Sequence, residues 1–205
     1  MAEILAVQDG KRERAKAANR DAILKAAKRV FAEIGYETAT VRDIIRGTEL
    51  ASGTFYNYFR SKEEVFEALA EDGARRFRPV LRAARESAVD FEDYIRRAIT
   101  GYFQFLIAER IGEDGRPVSE MAPHFRTDTP EMKAVYEEVR LGLEDAIARG
   151  LAPPVDTDYL ARACIGLSQD VGAAMLQRSP PDVEAAAAFA AQFIIGGVNA
   201  LPRKR

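Results

Sequence analysis

TVRDIIRGTELASGTFYNYFRSK, residues 40–62, reads as two short helices joined by a tight turn and followed by the capped start of a third. Thr40 is a natural N-cap, and Val41, Ile44 and Ile45 fall on one face at helical spacing, with Arg42 and Arg46 on the other. Gly47 to Leu50 ends that helix. Ala51 to Phe59 then forms a second helix, too short to be stable alone, so Leu50, Phe55 and Phe59 must hold it against its neighbours. Its outer face carries Ser52, Gly53, Thr54, Tyr56, Asn57 and Tyr58. Hydroxyls and an amide, with a glycine that permits close backbone approach, suit base edges and phosphates better than a protein surface. Ser61 and Glu64 complete an S-x-x-E capping box for the third helix. Lys62 stands in its first turn, where the helix dipole disfavours a cation, and a phosphate contact would account for it.

Working outward, Ile23, Ala26, Ala27, Val30, Phe31 and Ile34 repeat at helical spacing in a helix that starts at Asn19 or Arg20 and stops at Gly35. Three helices around one apolar centre make the smallest unit that holds a reading helix rigid.

Residues 20–66 resemble the DNA-binding domain of TetR/AcrR-family transcriptional regulators, above all in Thr40-Val41-Arg42-Asp43-Ile44 and in Ser52-Gly53-Thr54-Phe55-Tyr56-Asn57-Tyr58-Phe59 followed by Ser61-Lys62-Glu63. The resemblance covers about a quarter of the chain, and Ala51 departs from it where Ser or Thr usually caps the reading helix. It implies an all-α fold: an N-terminal three-helix helix-turn-helix domain joined to a C-terminal helical domain for ligand binding and dimerisation. It also implies roles by position. Tyr56, Ser52 and the backbone at Gly53 enter the major groove; Thr40, Thr54, Asn57, Tyr58 and Lys62 hold phosphates, and Arg42 belongs to the same surface. The function implied is that of a repressor on a palindromic double-stranded DNA operator, released by a small lipophilic effector. The alternative is a helical small-molecule-binding protein or enzyme with an incidental helix-turn-helix.

Charge distribution agrees with that reading. Residues 1–62 carry 12 Lys/Arg against 8 Asp/Glu, and residues 63–205 carry 18 against 24. The sign changes where the helix-turn-helix ends, as expected if only that part faces phosphate. Residues 1–18, with Lys11, Arg12, Arg14 and Lys16, read as a flexible basic arm or a solvated tail. The remaining divisions are 19–66 for DNA binding and 67–205 for effector binding and dimerisation. No apolar run approaches the roughly 20 residues that span a bilayer, and the N-terminus lacks a secretory core, so a cytoplasmic protein without membrane partners is expected. The single cysteine, Cys164, lies on an apolar helical face and reads as a buried thiol.

Downstream, the helix capped at Ser61 runs to Pro79, which should kink or split it, and serves as a rod between the two parts. Asp90 opens a strongly apolar helix. Gly112 to Pro117 reads as a loop and Val118 to Phe125 as a short helix; Thr129 and Pro130 start another that Gly150 ends. The last two helices, about Asp156–Gln177 and Pro181–Ala200, are crowded with Ala and Gly. Small side chains let axes approach closely, and the pair resembles the family's four-helix dimer interface, an intrachain core being the alternative.

An apolar effector pocket is expected from the excess of aromatic and Met residues, bounded by Tyr102, Phe103, Leu106, Met121, Phe125, Val139, Leu143 and Leu167, with His124 and Asp170 as polar members. Plain core is the alternative for each. With Glu120, the last two could converge on a metal, but one His and one Cys are a thin ligand set, and no metal or cofactor is expected. No Gly-rich phosphate loop or nucleophile elbow is present, so catalysis is not expected.

Overall fold

The structure, a computed structural model, describes residues 2–110 and 129–201, and the side chains of residues 12–109 and 129–201. Among them every regular element is a helix: α1 Ala2–Ile34, α2 Val41–Arg46, α3 Ser52–Tyr56, α4 Lys62–Ser87, α5 Phe91–Arg110, α6 Pro130–Ala148, α7 Thr157–Leu176 and α8 Val183–Ala200. The described chain divides into two compact units, the first ending at Ala70 and the second starting at Glu71. That division falls inside α4, four residues later than the expected Phe66.

The first unit is built on α1. The helix begins at Ala2 rather than near Asn19, so residues 2–18 are helical and not an irregular arm. The reason is compositional: Ala, Leu, Glu, Gln, Lys and Arg dominate this stretch and only Gly10 opposes helix. Ile23, Ala26, Ala27 and Phe31 of α1 bury against Ile44 of α2, Phe55 of α3, Phe59 and Val65. Phe31 meets Tyr36 and Phe66 edge-on at centroid distances of 5.3 and 6.5 Å, the arrangement that ring quadrupoles favour.

Local hydrogen bonds fix how α2 and α3 leave this core. Asp43 N donates to Thr40 Oγ1 at 3.3 Å, and Thr40 N donates back to Asp43 Oδ2 at 3.0 Å. Bonds from the Thr40 hydroxyl and then the Thr40 N–H hold the Asp43 carboxyl below the usual carboxylate range. At the other end, Arg29 Nη2 donates to the Gly47 carbonyl at 2.7 Å. A Cβ at Gly47 would lie 3.2 Å from Ala26 Cβ, so glycine lets the end of α2 settle on α1. In the turn, Thr48 Oγ1 donates to Ile45 O and accepts from Leu50 N.

The reading helix is shorter than the expected Ala51–Phe59. It is α3, Ser52–Tyr56, and Ala51 supplies no side-chain cap. The chain then tightens into a turn in which Tyr58 N and Phe59 N both donate to the Phe55 carbonyl. Buried Phe55 and Phe59, not helix propensity, hold the segment.

In the second unit α4 continues through Pro79 as one helix. Proline removes a single ladder bond, and the buried Ala74, Phe77, Leu81 and Ala84 keep both turns on the core. Thr129 caps α6 with Pro130 at its first turn, and Gly150 follows it at φ +72°. Close helix approach is set by glycines: a Cβ at Gly142 would lie 2.1 Å from Tyr94 Oη, and one at Gly172 would lie 2.7 Å from Leu106 Cδ1. Glu138 of α6 is 6% exposed. Arg85 Nη2 approaches its Oε1 to 2.9 Å, outside hydrogen-bond alignment, and Arg82 Nη2 lies 3.8 Å from Oε2.

Helix α8 is more apolar than expected: its 18 residues reach a mean hydropathy of 1.4, enough by length and composition to match a membrane span. One side, with Ala187, Ala190, Ala191, Ile194 and Val198, is buried in the core. The other presents Phe189 and Phe193, stacked at 6.3 Å and 59% and 64% exposed.

Candidate nucleic-acid interface and apolar cavity

Thr40, Arg42, Ser52, Gly53, Tyr56 and Asn57 are exposed, whereas Thr54 and Tyr58 are half-buried. The Tyr56 ring is 58% exposed and meets Phe55 edge-on at 5.4 Å, so a buried ring supports an outward one. Tyr58 Oη accepts from Asn19 Nδ2 at 3.3 Å, which ties the segment after α3 to α1. A Cβ at Gly53 would meet nothing within 4 Å. Packing therefore does not require glycine there; what glycine leaves is open backbone that an external surface can approach.

Lys62 departs from the expectation. Its ammonium donates to the carbonyls of Tyr36, Glu37 and Ala39 at 2.8, 3.1 and 3.1 Å and lies 4.6 Å from the Tyr36 ring centroid. All three donors of the amine are used inside the unit. The unfavourable place in the first turn of α4 is thus offset by the connection between α1 and α2, not by a phosphate. Because these carbonyls immediately precede Thr40, Lys62 sets the entry to α2. Beside it, Tyr36 Oη donates to Glu63 Oε1 at 3.4 Å.

The second unit encloses a cavity of about 80 Å³. Gly73, Ala74, Phe77 and Leu81 of α4, Tyr94, Ile95, Ala98, Ile99, Tyr102 and Phe105 of α5, Met132, Val135 and Val139 of α6, Cys164, Ile165, Ser168 and Gln169 of α7 and Ile194 of α8 line it. Of the expected pocket residues, Tyr102 and Val139 are in this wall. Phe103, Leu106 and Leu143 are buried core residues outside it, and Leu167 packs against the core. Asp170 is exposed, because α7 turns it away from the apolar side on which the sequence placed it. Met121, His124 and Phe125, with Glu120, lie outside the described residues.

The wall residues missed in the sequence carried a signal, since Phe77, Leu81 and Cys164 sit on apolar stripes. Periodicity names the buried face but not where that face leaves a void. Burial pushes the Tyr94 and Tyr102 phenols up, and pushes the Cys164 thiol up to about 12. The wall is therefore uncharged at neutral pH, and Cys164 is a poor nucleophile.

Residues 23–69 match the model of the family described as bacterial regulatory proteins, tetR family. The chain is similar to the HTH-type transcriptional regulator UidR of Escherichia coli strain K12, 28% identical over 87% of this chain and 92% of that protein. It is also similar to the HTH-type transcriptional repressor AcnR of Corynebacterium efficiens, 30% identical over 67% of this chain and 66% of that one. Among solved structures, the transcriptional regulator FadR from Bacillus subtilis in complex with stearoyl-CoA superposes with a TM-score of 0.68 at 16% identity, covering 86% of this chain and 97% of that one.

Proposed function

Because the chain belongs to the TetR family of bacterial regulatory proteins, we propose that this DNA-binding transcriptional regulator is a cytoplasmic repressor that reads a palindromic operator as a homodimer and is released by a small apolar effector. The observation that carries this reading is the α2–α3 surface, an exposed row of polar groups around Tyr56 held on a closed aromatic core. Tyr56, Ser52 and the open backbone at Gly53 face base edges; Thr40, Arg42, Thr54, Asn57 and Tyr58 face phosphates. Lys62 acts one step back, by fixing the connection that presents Thr40.

The dimer joins through α7 and α8. Their outward faces carry exposed Tyr159, Phe189 and Phe193 beside Gly166, Gly196 and Gly197, where an added Cβ meets nothing within 4 Å. An apolar, small-residue face of this kind is covered by a second copy in a two-fold arrangement, which sets two reading helices about 35 Å apart. The effector enters the apolar cavity. A ligand releases the operator only by binding better to a conformer that does not fit DNA, so the chain acts by differential affinity and not by catalysis.

Selection of bound duplexes from a random pool tests the reading. An enriched palindrome with half-sites about one helical turn apart is the expected result. Failure of any duplex to be enriched in a salt-sensitive manner overturns it.

A further inference from the structure

The cavity of the second unit has a chemistry more specific than being apolar, and the inference here rests on its reading as the effector site. Among the described residues, no Lys, Arg, His, Asp or Glu lines it. An anion placed there loses its hydration and gains no counter-charge, a loss that protein interiors tolerate only with a partner. The FadR complex holds stearoyl-CoA, whose phosphates would find no cation in this wall.

The few polar groups present are unequal. Both Tyr94 and Tyr102 contribute rings to the wall. The Tyr94 hydroxyl donates to the Val139 carbonyl at 3.3 Å. The Tyr102 hydroxyl has no hydrogen-bond partner among the described residues, although its ring is fixed by Phe77 at 5.2 Å and Phe103 at 5.8 Å. Buried hydroxyls are normally paired, so one left unpaired in a cavity wall is a group placed for something that enters the cavity. Ser168 and Gln169 of α7 add a hydroxyl and an amide to the same wall. Burial holds the Tyr102 phenol and the Cys164 thiol in their neutral forms, so neither supplies a charge for or against a ligand.

We propose that the effector is an uncharged, mainly apolar molecule bearing a hydroxyl or carbonyl group that hydrogen-bonds to Tyr102 Oη, with Ser168 and Gln169 beside it, and that carboxylates, sulfonates and phosphates of the same shape are rejected. Size adds a second condition. At about 80 Å³ the cavity is smaller than the roughly 150 Å³ that admits benzene. A ring-sized ligand therefore displaces part of the wall. The α4 residues Gly73, Ala74, Phe77 and Leu81 form one side, and pliable Met132 another. Entry of the effector thus presses on α4, the helix that also begins at Lys62 in the first unit.

The test uses three probes of one skeleton, naphthalene, 1-naphthol and 1-naphthoate, titrated into the full chain. Their fluorescence is read against a protein that contains no Trp. The expected result is that 1-naphthol binds about tenfold or more tighter than 1-naphthoate. Tyr102→Phe keeps the ring contacts; it should weaken 1-naphthol about fivefold while leaving naphthalene within about twofold, the loss of one neutral hydrogen bond. Ser168→Ala, a smaller change in the same wall, should weaken 1-naphthol in the same direction and guards against a folding defect in the first variant. Equal or tighter binding of 1-naphthoate, or 1-naphthol affinity unmoved by both substitutions, overturns the proposal while leaving an effector cavity in place. If none of the three probes binds a protein that still holds its selected operator, the effector reading of the cavity itself falls, and this proposal with it.

Discussion

The first unit and the second solve opposite problems with the same material. The first turns its polar groups inward on one another: Lys62 spends three donors on carbonyls, Arg29 holds the end of α2, and Thr40 and Asp43 pair reciprocally. What remains outside is a polar face on an immobile support. The second unit keeps a void in its apolar centre and a phenol without a partner in the wall of that void. It also leaves the Phe189 and Phe193 rings in the open. Rigidity serves a surface that must match a fixed duplex, whereas incomplete packing serves one that must yield to a ligand.

That contrast can be broken at several points. The largest effect is expected for Phe55→Ala, which removes a side chain 1% exposed from the centre of the small unit. A loss of about 3–5 kcal/mol is comparable to the whole stability of so small a core. Operator binding should vanish while hydrogen exchange in α5 to α8 remains slow; simultaneous loss of protection in both units would show that they fold as one. Next is Glu138→Ala, which strands Arg85 in the second unit. Because Arg82 is half in solvent, the cost should lie toward the lower end of the about 3–5 kcal/mol typical of breaking a buried pair. Thermal melting followed in α6 amides would read it, with the first unit unaffected.

Lys62→Met separates a structural lysine from a DNA-contacting one. Loss of its carbonyl bonds should destabilise the first unit by about 2 kcal/mol. The salt dependence of operator binding should keep its slope, since a lost phosphate contact would lower that slope by about 0.9. A flatter slope at unchanged stability would return Lys62 to the phosphate-binding set. Tyr56→Ala should alter stability by less than about 0.5 kcal/mol, yet change which base is preferred at its position. An unchanged preference in selected duplexes would remove Tyr56 from the base-reading set.

The smallest effect concerns pH. The folded Asp43 carboxyl titrates below its unfolded value, so its contribution to stability is present above about pH 4 and is lost as pH falls through the folded value. Asp43→Asn should flatten that acid limb in urea titrations of the first unit. A limb of undiminished slope would assign the acid sensitivity to other carboxylates.

Legibility in the sequence followed the range of the interactions. The capping pair at Thr40 and Asp43, Pro130 at the start of α6 and the apolar stripes of α1 and α5 involve residues a turn or so apart, and they stand where the sequence placed them. The continuation of α1 back to Ala2 was also local, but a basic stretch that suits a mobile tail suits a helix equally well. Lys62 was misread because its partners lie 23 to 26 residues away, beyond any helical period. Asp170 failed for a subtler reason: the boundary between the buried and open sides of α7 is set by which helices pack on it.

By itself the sequence determined an all-helical chain, a three-helix head with an exposed polar reading segment, and the class of regulator to which it belongs, because each follows from caps, turns and periodicity within short stretches. Only the tertiary structure decided that Lys62 braces the head, that Tyr94 is satisfied while Tyr102 is not, and which apolar residues border a void. Those are matters of how finite side-chain volumes from five different helices fill space, and that sum is written in no single segment.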